Sequence, residues 1–129
     1  MSIVKKILIA DDEPDILEII QFNLQAEGYE VITAKNGDEA IEQAKKYQPD
    51  LIILDIMMPG KNGIDVCREL RTQTEWNNTF IVFLTAKSDE ASEIEGLDVG
   101  ADDYIKKPIR PKLLLSRIQT ILKRMENRG

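Results

Sequence analysis

The sequence predicts an α/β fold, a doubly wound, five-stranded parallel sheet with five helices, and the order 2-1-3-4-5 is adopted for it as one common to such folds. Three observations predict the fold. Strand-like apolar runs alternate five times with helical stripes, and each strand–helix–strand crossover is right-handed and lays its helix back on the sheet. The run Leu51-Ile52-Ile53-Leu54 has no polar residue, as expected of a strand covered on both faces. Two of the runs stop abruptly at acids, Asp11-Asp12-Glu13 after the first and Asp55 after the central one. In such folds the ligand crevice opens at the carboxyl ends of the strands.

The elements follow in order along the chain. Lys5 to Ala10 is the first strand. Pro14 suits the first turn of a helix, where its missing N–H costs nothing. Ile16, Leu17, Ile20 and Leu24 form the helix's apolar stripe, and Gly28 is placed to end it as a C′ residue. Glu30 to Thr33 reads as a short strand. Asn36-Gly37 turns the chain, Asp38 is expected to cap, and Ala40, Ile41, Ala44 and Tyr47 line the second helix. After the central strand and the turn Pro59-Gly60-Lys61-Asn62-Gly63, a third helix points Ile64, Cys67 and Leu70 inward.

A polar stretch from Thr72 to Thr79 holds Trp76, and Phe80 to Leu84 is the fourth strand. Ser88 is placed to cap a fourth helix with a thin stripe of Ala91, Ile94 and Leu97. Asp103-Tyr104-Ile105 is the last strand, closed by Lys106-Lys107-Pro108. Leu113, Leu114, Ile118, Ile121 and Leu122 then give a strongly amphipathic fifth helix. For Trp76 and Cys67 the expectation is packing or surface, with no further role.

Composition narrows the chemistry. A chain of 129 residues, 43% hydrophobic and 31% charged, is expected to be one domain spanning residues 1–129. No apolar stretch approaches the ~20 residues of a membrane span. The first residues lack the apolar region of a signal peptide, and one cysteine cannot form an internal disulfide. A cytoplasmic location is expected. The absence of histidine removes histidine-based acid/base catalysis and histidine-ligated metals. A net charge of -6 argues against direct nucleic-acid contact by this chain.

The strand order brings Asp11, Asp12 and Asp55 to one edge, where three carboxylates repel each other unless a cation or proton intervenes. All-oxygen ligands favour a hard divalent ion, Mg²⁺ (or Mn²⁺), which keeps several waters while taking one or two carboxylates. Thr85 and Lys107 leave neighbouring strand ends. A hydroxyl and an ammonium both suit phosphoryl oxygens. Phosphoryl transfer asks a protein for positioning and charge stabilisation above all. Taken singly, each residue has a plainer reading: a solvated helix start, a turn residue, an exposed lysine pair. Their joint spacing points to chemistry.

The chain resembles the receiver domain of two-component response regulators over nearly its whole length. The matching pieces are Ile7-Leu8-Ile9-Ala10-Asp11-Asp12-Glu13, Leu54-Asp55-Ile56-Met57-Met58-Pro59-Gly60, Leu84-Thr85-Ala86, and Gly100-Ala101-Asp102-Asp103-Tyr104-Ile105-Lys106-Lys107-Pro108. Spacings of 30 residues (55 to 85) and 22 residues (85 to 107) also match. The resemblance implies that Asp55 takes a phosphoryl group from a sensor histidine kinase, without the chain being a turnover enzyme. It implies Mg²⁺ ligation by Asp11, Asp12, Asp55 and the backbone carbonyl of Met57, with Asp12 the more direct of the first two. It also implies pairing of Lys107 with Asp55 across a cis peptide to Pro108, and a switch in which Thr85 swings inward and Tyr104 follows.

The segment around Gly100 to Tyr104 and the tail Ile109 to Gly129 resemble the subfamily with a C-terminal winged-helix DNA-binding domain. That domain would lie beyond this chain. Receivers of that kind dimerise through the face of the fourth helix, fifth strand and fifth helix, here Ile94, Leu97, Asp103, Leu115 and Arg117. A crossing Asp–Arg pair has matching types in Asp103 and Arg117, whereas a second family pair would fall on Glu93 and Leu113 and cannot form. A stand-alone single-domain regulator and a degenerate interaction module are the alternatives. A haloacid-dehalogenase-type phosphatase would need an acid where Met57 stands. A flavodoxin-like flavin binder would need a phosphate loop where Asp11-Asp12-Glu13-Pro14 stands.

Overall fold

The strands are β1 (Lys6–Ala10), β2 (Glu30–Ala34), β3 (Leu51–Asp55), β4 (Phe80–Thr85) and β5 (Asp103–Lys106). In the computed structural model, which describes residues 4–86 and 98–128, they form one parallel sheet in the order β2-β1-β3-β4-β5. The helices are α1 (Pro14–Ala26), α2 (Gly37–Tyr47), α3 (Gly63–Arg71) and α4 (Pro111–Arg128), with a short 3-10 turn at Thr74–Trp76. The helix predicted around Ser88, Ala91, Ile94 and Leu97 lies outside the described residues. Among the described residues, no helix is long and apolar enough to cross a membrane.

Side-chain alternation along the strands divides the core into two layers. Ile7, Ile9, Leu51, Ile53, Val82 and Leu84 face α1 and α4, meeting Leu17, Ile20, Leu24, Leu114, Ile118 and Ile121. Leu8, Ala10, Ile52, Leu54, Ile81 and Phe83 face α2 and α3, meeting Ala40, Ala44, Ile64, Cys67 and Leu70. All of β3 is buried, which explains why its sequence shows no polar alternation. Trp76 is packed into the second layer and 1% exposed.

Two expectations need correction. The cap of α2 is Asn36 rather than Asp38: Asn36 is extended and its side chain accepts a hydrogen bond from the Glu39 N–H, so the helix already runs at Gly37. Leu113 is 51% exposed instead of inward. The buried stripe of α4 is Leu114, Ile118, Ile121 and Leu122, and one residue of offset turns a helical position by about 100°, off that stripe. Elsewhere among the described residues the helix ends follow the local reading. Gly28 has φ +92° beyond the end of α1, the left-handed conformation of a C′ glycine. Asn62 and Asp65 form a capping box on α3.

Register decides what the strand ends present. Ala10 is level with Leu54, so Asp11 and Asp55 step off adjacent strands at the same height. Asp55 is level with Leu84 and Thr85 with Lys106, so Thr85 and Lys107 each lie one residue further out on their own strands.

Candidate functional site

The carboxyl ends of β1 and β3 carry the acids into one cluster. One oxygen each from Asp11, Asp12, Glu13 and Asp55 lie within 4.8 Å of one another. Asp11 is fully buried and Asp55 is 2% exposed, while Asp12 and Glu13 are exposed at the rim. Backbone amides orient the two buried acids. The Glu13 N–H donates to Asp11 Oδ1 at 2.9 Å, and the Met57 N–H donates to Asp55 Oδ1 at 3.1 Å. Gly63, the first residue of α3, lets that helix start against the backbone of Asp55. A Cβ on Gly63 would stand 2.5 Å from the Asp55 carbonyl oxygen.

Lys107 closes the cluster from β5. Its Nζ lies 3.3 Å from Asp11 Oδ2, 3.3 Å from Asp55 Oδ2 and 3.1 Å from Glu13 Oε1. Lys106, its neighbour, is exposed, as strand alternation requires. The Lys107 N–H donates to the Thr85 carbonyl at 2.8 Å, and the peptide to Pro108 is cis, as the resemblance implied. Thr85 is 1% exposed at the end of β4, and its hydroxyl donates to the Ala86 carbonyl at 3.4 Å.

The electrostatics follow from burial and crowding. Desolvation pushes the Asp55 carboxyl up to about 6, and the Asp11 charge adds to the rise. The Lys107 ammonium and the Met57 N–H act against it without cancelling it. Burial opposes the charge on Lys107, but the hydrogen bond it gives to Glu13 and the charges of Asp55 and Asp11 outweigh it, holding the ammonium above its ordinary range. Among the described residues, Asp11 Oδ2 is buried and accepts no hydrogen bond, its charge being met by the Lys107 ammonium at 3.3 Å. An all-oxygen set of carboxylates converging within 4.8 Å, with a buried Asp11 oxygen that accepts no hydrogen bond, fits a hard divalent cation.

Tyr104 stands on β5 away from this cluster. It is half-buried, packed on the α2–α3 layer, with its ring 5.8 Å from that of Phe83 at 54°. Asp103 and Arg117 pair within the chain at 3.1 Å, and Arg117 also donates to the Tyr104 carbonyl at 2.6 Å. Leu115 is half-buried against the α1–α4 layer. Ile94 and Leu97 lie outside the described residues.

Glu13 was not singled out from the sequence, although it is the nearest carboxylate to Lys107. The available signal was a Glu at the N-cap of α1, where Ser, Thr, Asp or Asn would cap better. Arg71 was also missed. It joins the end of α3 to the approach to β5 through the carbonyls of Gly100 and Trp76 and an ion pair with Asp102 at 3.0 Å.

Comparison with known proteins agrees with this arrangement. The chain is 47% identical over 122 residues to the alkaline phosphatase synthesis transcriptional regulatory protein PhoP of Bacillus subtilis (strain 168). The match covers 95% of this chain and 50% of that protein, so the chain spans about half the length of this curated relative. Among solved structures, the chemotaxis protein CheY4 of Vibrio cholerae superposes with a TM-score of 0.86 at 36% identity, covering 92% of this chain and 98% of that one. A CheY-like receiver domain protein from Methanospirillum hungatei JF-1 superposes with a TM-score of 0.92 at 29% identity, covering 98% and 100%. Residues 7–119, which contain every acid of the cluster together with Thr85 and Lys107, match the model of the response regulator receiver domain, and the chain belongs to that family.

Proposed function

We propose that this receiver domain is switched by a phosphoryl group carried on Asp55. The donor is a phosphohistidine of a sensor histidine kinase. An Asp55 carboxylate oxygen forms the new bond to phosphorus as the phosphorus–nitrogen bond breaks, and the electron pair of that bond stays on the imidazole nitrogen. The observation that carries this reading is the Lys107 ammonium 3.3 Å from both Asp55 and Asp11 at the convergent strand ends. It sits where phosphoryl oxygens on Asp55 would arrive, so incoming negative charge meets a fixed cation.

Asp11, Asp12, Asp55 and the Met57 carbonyl would hold Mg²⁺ (or Mn²⁺), with Asp11 acting partly through water. When bound, the ion would neutralise charge on the phosphoryl oxygens. Thr85 supplies a hydroxyl from the adjoining strand end, and its reorientation, followed by that of Tyr104, transmits the change. The chain is a phosphoacceptor that assists its own transfer and hydrolysis, and it is not a turnover enzyme.

The signal leaves through a face that includes Asp103 of β5 and Leu115 and Arg117 of α4. Homodimerisation through that face is supported by the exposure of Leu113 and by the presence on it of both members of the Asp103–Arg117 pair, 3.1 Å apart within the chain. The relative PhoP is named a transcriptional regulatory protein, and this chain aligns with half of it. That supports an output in transcription, through a DNA-binding domain outside these residues, in the cytoplasm. The test is Mg²⁺-dependent labelling by a phosphodonor such as acetyl phosphate. Labelling is expected in the wild type and lost in Asp55→Asn. Equal labelling of both proteins would remove the assignment.

A further inference from the structure

Glu13 occupies the N-cap position of α1, with extended backbone, and makes no capping hydrogen bond. A Ser, Asp or Asn there would satisfy a first-turn N–H. The Glu13 carboxylate instead accepts a hydrogen bond from Lys107 Nζ, 94 residues away, at 3.1 Å. Its backbone is fixed by the 2.9 Å hydrogen bond it gives to Asp11 Oδ1, so the side chain starts from a set place at the edge of the acid cluster. The three carboxylates around Lys107 differ in exposure. The side chains of Asp11 and Asp55 are 0% and 3% exposed, and that of Glu13 is 58% exposed. Glu13 therefore stands between solvent and the ammonium that a phosphoryl group must reach.

We propose that Glu13 is a positioning and selectivity residue, which holds Lys107 at the mouth of the site before phosphorylation and disfavours phosphodonors of higher negative charge. The proposal rests on reading Asp55 as the phosphoacceptor. A donor approaching Asp55 competes with Glu13 for Lys107, and it also passes a fixed negative charge at the rim. Repulsion scales with the donor's own charge, so a dianion is penalised about twice as much as a monoanion, on a logarithmic scale. Salt screens an exposed charge of this kind.

The test compares Mg²⁺-dependent self-labelling of the full chain by acetyl phosphate and by phosphoramidate, in wild type and Glu13→Gln. With acetyl phosphate, the bond from Asp55 to phosphorus forms as the phosphorus–oxygen bond breaks, and acetate leaves with its electron pair. With phosphoramidate the phosphorus–nitrogen bond breaks and the nitrogen leaves as ammonia. Acetyl phosphate is a dianion at neutral pH, and phosphoramidate is largely a monoanion.

Glu13→Gln is expected to raise the acetyl phosphate rate about three- to tenfold at low ionic strength, and the phosphoramidate rate by a smaller factor. The difference between donors should vanish near 1 M salt, where the screening length falls to ~3 Å. A structural role alone would move both donors by one factor, independent of salt. That result, an unchanged pair of rates, or slower labelling by acetyl phosphate would overturn the inference while leaving the phosphoacceptor assignment in place. A wild-type chain labelled by neither donor would overturn both.

Discussion

At the scale of single residues, the site is a set of charges that destabilise the fold when left alone. Asp55 lies at 2% exposure with its carboxyl pushed from 3.8 up to about 6 by burial and by Asp11. A carboxyl whose folded pKa is raised binds its proton more tightly in the native state. Its cost is therefore absent below the unfolded value, grows as pH rises from about 4, and is complete above about 6. In chelator, Asp55→Asn should gain stability over wild type by ~1–3 kcal/mol between pH 4 and pH 7, with no further gain above pH 7. Urea midpoints across that range check it, and a difference that did not change with pH would contradict it. The sequence made Asp11, Asp55, Thr85 and Lys107 legible through their spacing. It did not show that Lys107 would bridge three carboxylates, because the third, Glu13, belongs to an acidic run that reads equally well as a solvated helix start.

At the scale of elements, the position of α3 is set by a glycine. The nearest atoms to a Cβ at Gly63 are the Asp55 carbonyl oxygen at 2.5 Å and the Asp55 carbonyl carbon and Ile56 Cα at 3.0 Å, all of them backbone. None can rotate away, so Gly63→Ala must displace either the helix or the end of β3. The expected cost is ~1–3 kcal/mol, as for other overpacked sites, and labelling of Asp55 should slow because its own carbonyl moves. Urea unfolding and phosphodonor labelling of one preparation check both effects, and a variant unchanged in each would show that the contact relaxes freely. The sequence placed Gly63 at a helix start but could not place Asp55 against it, since that approach depends on how β3 and α3 pack. The same limit explains Leu113. Its hydrophobicity fitted the stripe of α4, and only docking of α4 on the sheet selected Leu114, Ile118, Ile121 and Leu122 for burial.

At the scale of the whole molecule, the face proposed for output owes least to local pattern. Asp103 pairs with Arg117 at 3.1 Å within one chain, and a crossing pair in a dimer would replace that contact with its equivalent from a second copy. Little electrostatic energy separates the two arrangements, so the balance falls to apolar surface such as exposed Leu113. Sedimentation is expected to show a monomer in chelator and a dimer after treatment with beryllofluoride and Mg²⁺; a chain that stayed monomeric at high concentration would exclude this face as a dimer contact. The alternation of strands and helices and a sheet covered on both faces were predictable from the sequence. The strand order came from what is common to doubly wound folds, and the level placement of Asp11 and Asp55 from the structure. Alternating periodicities name the elements, and right-handed crossovers leave few ways to arrange them. Tertiary structure alone decided the rest: the reach of Glu13 to Lys107, the hold of Arg71 on the approach to β5, and the use of Asn36 rather than Asp38 as a cap. Each depends on distances between segments far apart in sequence or on one residue's backbone angles, and periodicity carries no record of either.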